Sequence, residues 1–257
     1  MKAVLYGAVV HNRIVWLVSP DIRVDCAYWL RHGGSDAALV VLKPHVSLGQ
    51  AFLLRQLLVQ APARFVRRGT ERIAEWLSRY GGAGDTDAAW RHGLRWTEMR
   101  ANAMRELAAA VRIDSTLLGE LERLLEGRCL TRDELGGLLE HAGLTEAADH
   151  WATYVQAAAL RRRVILRNGF ETAFVRRFPT FQLRAVHVCR RCGAGPERMN
   201  RTPCPSCGGE CAYCEQCLTM GRIRFCSPIV YGAESPKTEP AVRVSGWNNR
   251  DGSPSDR

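Results

Sequence analysis

The sequence predicts an α+β protein: a mainly helical amino-terminal region with short strands, then a small winged-helix module, then a cysteine-rich ribbon or knuckle region. Three observations predict it. Short runs of Val, Ile, Tyr and Trp open the chain, apolar residues recur at helical spacing from Ser47 to Arg163, and eight cysteines crowd between Cys189 and Cys226.

In order along the chain, Ala3–Val10 and Ile14–Val18 are apolar runs parted by His11 and Asn12, a hairpin signal. VDCAYWL at 24–30 and AALVVL at 37–42 follow, with Gly33, Gly34 and Pro44 as breaks, so 1–46 is expected to be a small α+β segment. The next region, 47–128, has helical character. SLGQAFLLRQLLVQ and TERIAEWLSRY lead to a long stretch from Asp87 to Ile113, where Trp90, Leu94, Met99 or Met104, and Leu107 recur at helical spacing. Ser115 and Thr116 open a further helix that Gly127 stops.

Thr131 begins a unit with a capping box, Thr131 at the N-cap and Glu134 three residues on. Thr145 is a second candidate N-cap, for a helix running through Arg163. VILRN at 164–168 and FETAFVRRF at 170–178, split by Gly169, read as a β-rich pair. Residues 129–187 thus fit a winged-helix-like module, or a small helical domain whose last strands lead into the cysteines. The tail 232–257, rich in Pro, Ser, Gly and charge, is expected to be disordered.

With 257 residues, 46% of them hydrophobic and 24% charged, the chain has room for one or two ordinary cores. A net charge of +10 suits an anionic partner such as nucleic acid. Within 161–226 stand thirteen arginines, four glutamates and no lysine. Guanidinium forks bind phosphate bidentately and stack on bases. The candidate nucleic-acid contacts are Arg161, Arg162, Arg163, Arg176, Arg177, Arg190, Arg191, Arg222 and Arg224. Phe174, Phe178, Phe181, Tyr213 and Phe225 lie among them, either as stacking platforms for a single strand or as the small core around the cysteines. No apolar stretch reaches the ~20 residues of a membrane span. Met1–Val10 reads as a strand, since His11, Asn12 and Arg13 interrupt any signal-like run.

The cysteines form three CxxC pairs, Cys189/Cys192, Cys204/Cys207 and Cys214/Cys217, with Cys211 and Cys226 completing a set of eight. Two CxxC turns supply the tetrahedral all-sulfur shell that Zn2+ prefers, and glycines after Cys192 and Cys207 suit the left-handed residue that closes each turn. Eight thiolates fit two structural zinc ions. One partition by proximity gives Cys189, Cys192, Cys204 and Cys207 one site, leaving Cys211, Cys214, Cys217 and Cys226 the other. A single zinc, or an iron–sulfur cluster, uses the same residue types. Isolated Cys26 and Cys129 are expected to be buried apolar residues, and His187 could support the metal from behind. No G-x-x-x-x-G-K-[ST] phosphate loop occurs, so no ATP site is expected, and no catalytic constellation can be drawn.

The string CAYCEQCLTMGRIRFCSPIVY (211–231), preceded by VCRRCG (188–193), resembles the amino-terminal region of ComFA, the late competence protein of Gram-positive bacteria. In that family a CxxC pair is followed by Tyr-Cys-x-x-Cys-Leu/Ile-x-Met-Gly/Lys-Arg-Val/Ile. Tyr213, Cys214, Cys217, Leu218, Met220, Gly221, Arg222 and Ile223 match. The upstream GRCLTRDELGGLL segment (127–139) resembles the longer family members. The resemblance implies pairing of Cys189/Cys192 with Cys214/Cys217, because short members keep only those four. Cys204, Cys207, Cys211 and Cys226 are then left as an interleaved second site. It also implies a cytoplasmic ATPase, peripheral at the inner face of the membrane, which resembles DEAD/DEAH helicases and helps draw single-stranded DNA through the uptake pore. Implied partners are ComFC, DprA and the ComEC channel. The chain departs from the family after the 188–231 cysteine region. Trp247 stands where the family's tryptophan would, but SGWNNRDGSPSDR does not continue into the helicase core. The expectation is a truncated or frameshifted reading frame, or an excised amino-terminal half, without the motor. A protein-interaction scaffold that recruits competence partners without significant DNA binding is the alternative, suited to the acidic segment 114–149.

Overall fold

The computed structural model describes residues 1–10, 13–33, 38–61, 70–81, 93–177 and 182–233. It is α+β, with eight helices and short antiparallel strands among those residues. Strands β1 (Lys2–Val10) and β2 (Arg13–Ser19) form the expected hairpin, in register from Val4↔Ser19 to Val10↔Arg13. Helix α1 (Ile22–His32) follows, capped by the Asp21 side chain. Then come β3 (Leu39–Lys43), β4 (Val46–Ser47), α2 (Leu48–Gln60) and α3 (Glu71–Tyr80). Strand β5 (Arg95–Met99) and helix α4 (Ala101–Ala109) complete a sheet of order β2-β1-β3-β5, with β4 added on β1.

The apolar run of β1 is continuous because both faces of the sheet are covered. Ala3 and Leu5 join a core with Leu48, Ala51 and Leu54 of α2, whereas Val4, Tyr6 and Ala8 join Cys26 of α1 and Met104 of α4. The alternation follows from the two-residue period of a strand. Sequence periodicity predicts helix throughout 87–113, but Arg95–Met99 is a strand paired with β3, Leu39↔Met99 to Lys43↔Arg95. An open, apolar β3 edge outweighs helical spacing there, and Trp96 and Thr97 are themselves strand-prone. Leu94 and Met104 consequently enter different cores, and Trp90 lies outside the described residues.

The second half begins with α5 (Ser115–Leu125), β6 (Cys129–Thr131), α6 (Arg132–His141), α7 (Thr145–Asp149) and α8 (Trp151–Leu160). The capping box is present as read: Glu134 N donates to Thr131 Oγ1 and the Glu134 carboxylate accepts from Thr131 N at 2.8 Å. Thr145 is not an N-cap. Leu144 holds that position without a side-chain bond, and the expected single helix breaks at His150 into α7 and α8. Leu118, Leu121, Leu135, Leu139, Tyr154 and Val155 share the core that holds Leu5 and Leu54, so the two halves have one interior.

Strand β7 (Val164–Asn168) does not pair with its neighbour β8 (Phe170–Arg177), contrary to the sequence expectation. Gly169 turns the chain: a Cβ there would stand 2.2 Å from the Arg224 carbonyl oxygen. β8 pairs with β9 (Gln182–Cys189), and β10 (Met199–Cys204) with β11 (Gly209–Cys214). The last described strand, β12 (Pro228–Gly232), then inserts between β6 and β7, giving the order β6-β12-β7. The cysteine region is therefore an excursion between two adjacent strands. The proposed tail, with Trp247, falls outside the described residues from 234 onward. No described helix is long and apolar enough to cross a membrane.

Candidate metal centre

The β10–β11 hairpin organises the cysteines. Its register sets Cys204 opposite Gly209, Thr202 opposite Cys211 and Met199 opposite Cys214. Cys211 and Cys214 are three residues apart on one strand, so they face opposite sides of it. That parity rules out their sharing one site and overturns the partition by proximity. Cys189, Cys192, Cys214 and Cys217 converge on one side, and Cys204, Cys207, Cys211 and Cys226 on the other. Within each group all four sulfurs lie within 4.8 Å of one another.

The closest pairs match a tetrahedral thiolate shell. Four sulfurs about 2.3 Å from an ion stand about 3.8 Å apart. The Sγ–Sγ separations are 3.7 Å for Cys189–Cys217, 3.6 Å for Cys192–Cys214, 3.7 Å for Cys204–Cys226 and 3.6 Å for Cys211–Cys226. Each group can hold a metal ion. Cys192 alone of the eight is exposed, and the second group is wholly buried. In that group hydrogen bonds from Cys207, then Cys226, hold the Cys211 thiol down to about 4, and the same sharing pushes Cys207 up. An ion would displace the remaining protons, so occupancy should fall in acid.

Local backbone closes the turns as the sequence indicates. Gly193 (φ 75°) and Gly208 (φ 72°) are left-handed, and their N–H groups donate to the Cys189 and Cys204 carbonyls at 2.9 and 3.1 Å. Residues 223–225 lie beside β11 through Cys214 N to Ile223 O, 2.9 Å, and Phe225 N to Ala212 O, 2.8 Å. That contact delivers Cys226 to the second group.

Sequence reasoning missed the support from α2. Ser47 Oγ lies 3.4 Å from Cys207 Sγ, and Gln50 Nε2 donates to the Cys207 carbonyl at 2.9 Å. Gly49 lets the helix reach the metal module, because a Cβ there would stand 2.5 Å from the Phe225 carbonyl oxygen. The signal was present: Ser47 and Gln50 form a second capping box. His187 is not behind a ligand; it packs between Phe170 and Phe225, its Nδ1 3.1 Å from Thr172 Oγ1. Burial, aided by Arg201, pushes it down to about 4. Cys26 is buried as expected, but Cys129 is exposed.

The arginines are dispersed. Arg222 and Arg224 line a cavity of about 440 Å³ beside the second group, and the Arg222 guanidinium lies 5.2 Å from the Tyr213 ring centroid. Arg191 is held by Glu134, the capping carboxylate of α6, and Arg190 reaches Glu171 at 3.3 Å. Arg161 pairs with Glu122 at 3.4 Å; exposed Arg162 and Arg163 follow it after α8. Arg176 is exposed on β8, and Arg177 is paired through its backbone with Gln182. Of the interleaved aromatics, Phe225 is buried and Phe174 meets Tyr80 edge-on, whereas Phe178 and Phe181 lie outside the described residues.

One comparison with known proteins covers this region. Residues 115–231 match the family model described as the competence protein ComFA N-terminal domain. No curated protein and no solved structure matches the chain. The match runs from α5 to β12, so it takes in both cysteine groups and the sheet that brackets them. Residues 115–231 of this chain are thus similar to the ComFA amino-terminal domain.

Proposed function

We propose that the chain is a zinc-stabilised docking module that binds single-stranded DNA during competence DNA uptake, at the cytoplasmic face of the cell membrane, with any motor acting outside this chain. Zn2+ is the ion that best suits two closed, all-cysteine tetrahedral groups; such sites have no open position for water and serve folding. The observation that carries the reading is the exposed Arg222 over Tyr213, between the two cysteine groups. A fixed cation beside a π-face binds a strand's phosphates and bases together. Arg224, in the same cavity, extends that surface.

The arrangement α5-β6-α6-α8-β7-β12, with the last strand central, also suits a winged helix whose wing carries the metal region. In this module α8, the helix that would read a groove, is covered: Trp151, Tyr154, Val155 and Ala158 are buried. Binding therefore falls to the metal-fixed hairpins, which favours flexible single strands.

Fluorescence anisotropy of the zinc-loaded chain with single-stranded and duplex DNA across a salt series tests the reading. Preference for the single strand, with affinity falling steeply as salt rises, is expected. Arg222→Ala should weaken binding about ten-fold and lower the salt slope by about 1. Binding indifferent to both Arg222→Ala and Arg224→Ala removes these residues from the interface.

One observation favours the scaffold alternative. Hairpin β8–β9 pairs with no third strand among the described residues and exposes Val175, Leu183 and Val188. Open edges and exposed apolar side chains suit a protein partner such as ComFC, DprA or the ComEC channel. Salt-resistant co-purification with one of them, without DNA affinity, would decide for it.

A further inference from the structure

Helix α2 turns Arg55 and Gln56 toward the end of β7 and the first cysteine turn, where Arg167 and Arg190 stand. The three arginines line a cavity of about 280 Å³, and no acidic side chain is among its lining residues. That volume is at or below the small end of ligand pockets, room for a single compact group. Its walls are fixed: Gln56 Nε2 donates to the Thr172 carbonyl at 3.0 Å, and Arg190 N to the Gly169 carbonyl at 3.0 Å.

Charge is out of balance here. Arg55 Nε donates to the Trp16 carbonyl at 2.9 Å and Arg167 Nη1 to the Leu166 carbonyl at 3.1 Å, both neutral acceptors. Arg190 has a carboxylate partner, Glu171, but that carboxylate is 66% exposed and lies outside the lining. The Arg190 Nε is buried with no acceptor. Burial, then the charges of Arg55 and Arg190, hold the Arg167 guanidinium below its ordinary range. Three cations gathered with one exposed carboxylate among them are costly unless a further anion joins them.

We propose that this cavity is an anion site that takes a phosphate group, carried either by a nucleic-acid strand or by free phosphate. Phosphate presents several oxygens to planar guanidinium forks, and a cluster of three forks exceeds what one carboxylate can use. The site shares no lining residue with the Arg222 and Arg224 cavity, so it stands independently of the DNA reading above.

The test uses the full, zinc-loaded chain. Thermal unfolding is followed with inorganic phosphate against chloride at equal ionic strength, for wild type, Arg167→Gln and Arg55→Gln. Wild type should show a saturable rise in Tm that both variants lose, with metal content unchanged. Without phosphate, Arg167→Gln should melt no lower than wild type, because it relieves repulsion. Absence of a saturable rise in wild type, or its retention in both variants, overturns the site. Oligothymidylate anisotropy then identifies the source. A loss of about ten-fold in Arg167→Gln, the order for a charge-assisted hydrogen bond, assigns the phosphate to a strand. Unchanged strand binding with a lost Tm shift assigns it to free phosphate.

Discussion

Asp25 shows how much one side chain can set. It is fully buried on α1 and accepts from Tyr6, Ser19 and, at 2.7 Å, Gln156 of α8. Burial pushes its carboxyl up to about 7, although the three donors pull the other way. A raised acid pKa means that the folded state binds more protons than the unfolded state between roughly pH 4 and pH 7. The contribution of Asp25 should therefore be fully present below that window and be lost as pH rises through it, by up to ~4 kcal/mol. Asp25→Asn copies the protonated form and should flatten the fall. Chemical denaturation at pH 5 and pH 8 checks this: an undiminished slope in Asp25→Asn would acquit the residue. No sequence pattern marks Asp25, since its partners come from β1, β2 and a helix beyond residue 150.

At the level of elements, caps and strand parity decided what the sequence could reveal. Thr131 and Glu134 were legible because a capping box is local, four residues long and chemically unambiguous. The structure adds that Glu134 also holds Arg191, so the same carboxylate anchors the first cysteine turn to α6. Thr131→Ala should cost about 1 kcal/mol, with the change visible in a denaturant midpoint. An unaltered midpoint would show that Glu134 holds α6 without its partner. The cysteine partition was legible only by family likeness, because residue spacing favoured neighbours. Recognising Gly209–Cys214 as a strand would have separated Cys211 from Cys214 by parity alone. β5 was lost for the opposite reason: its pairing with β3 is made over fifty residues away, and a local period cannot register it.

For the molecule as a whole, the two cysteine groups are built differently into the shared interior. The Cys204, Cys207, Cys211 and Cys226 group rests on Ser47, Gly49 and Gln50, while Cys192 of the other group is exposed. A chelator titration should remove two metal equivalents, the first from the group containing Cys192. Cys226→Ser should leave one equivalent and lower Tm more than Cys192→Ser. Equal losses from both variants would mean that α2 adds nothing to the second group. The placement of β12 has a consequence for the history of each molecule. Its Val230, wholly buried, fills the middle of the three-stranded sheet and is nearly the last described residue to leave the ribosome. The slot between β6 and β7 can be filled only when residues 169–227 loop back to bring β12 into it. Ions held by the two cysteine groups would shorten that span and so lower the entropy of closure. A newly made chain in a metal-poor cell would keep an unfilled slot between β6 and β7, a place for chaperones or proteases to grip.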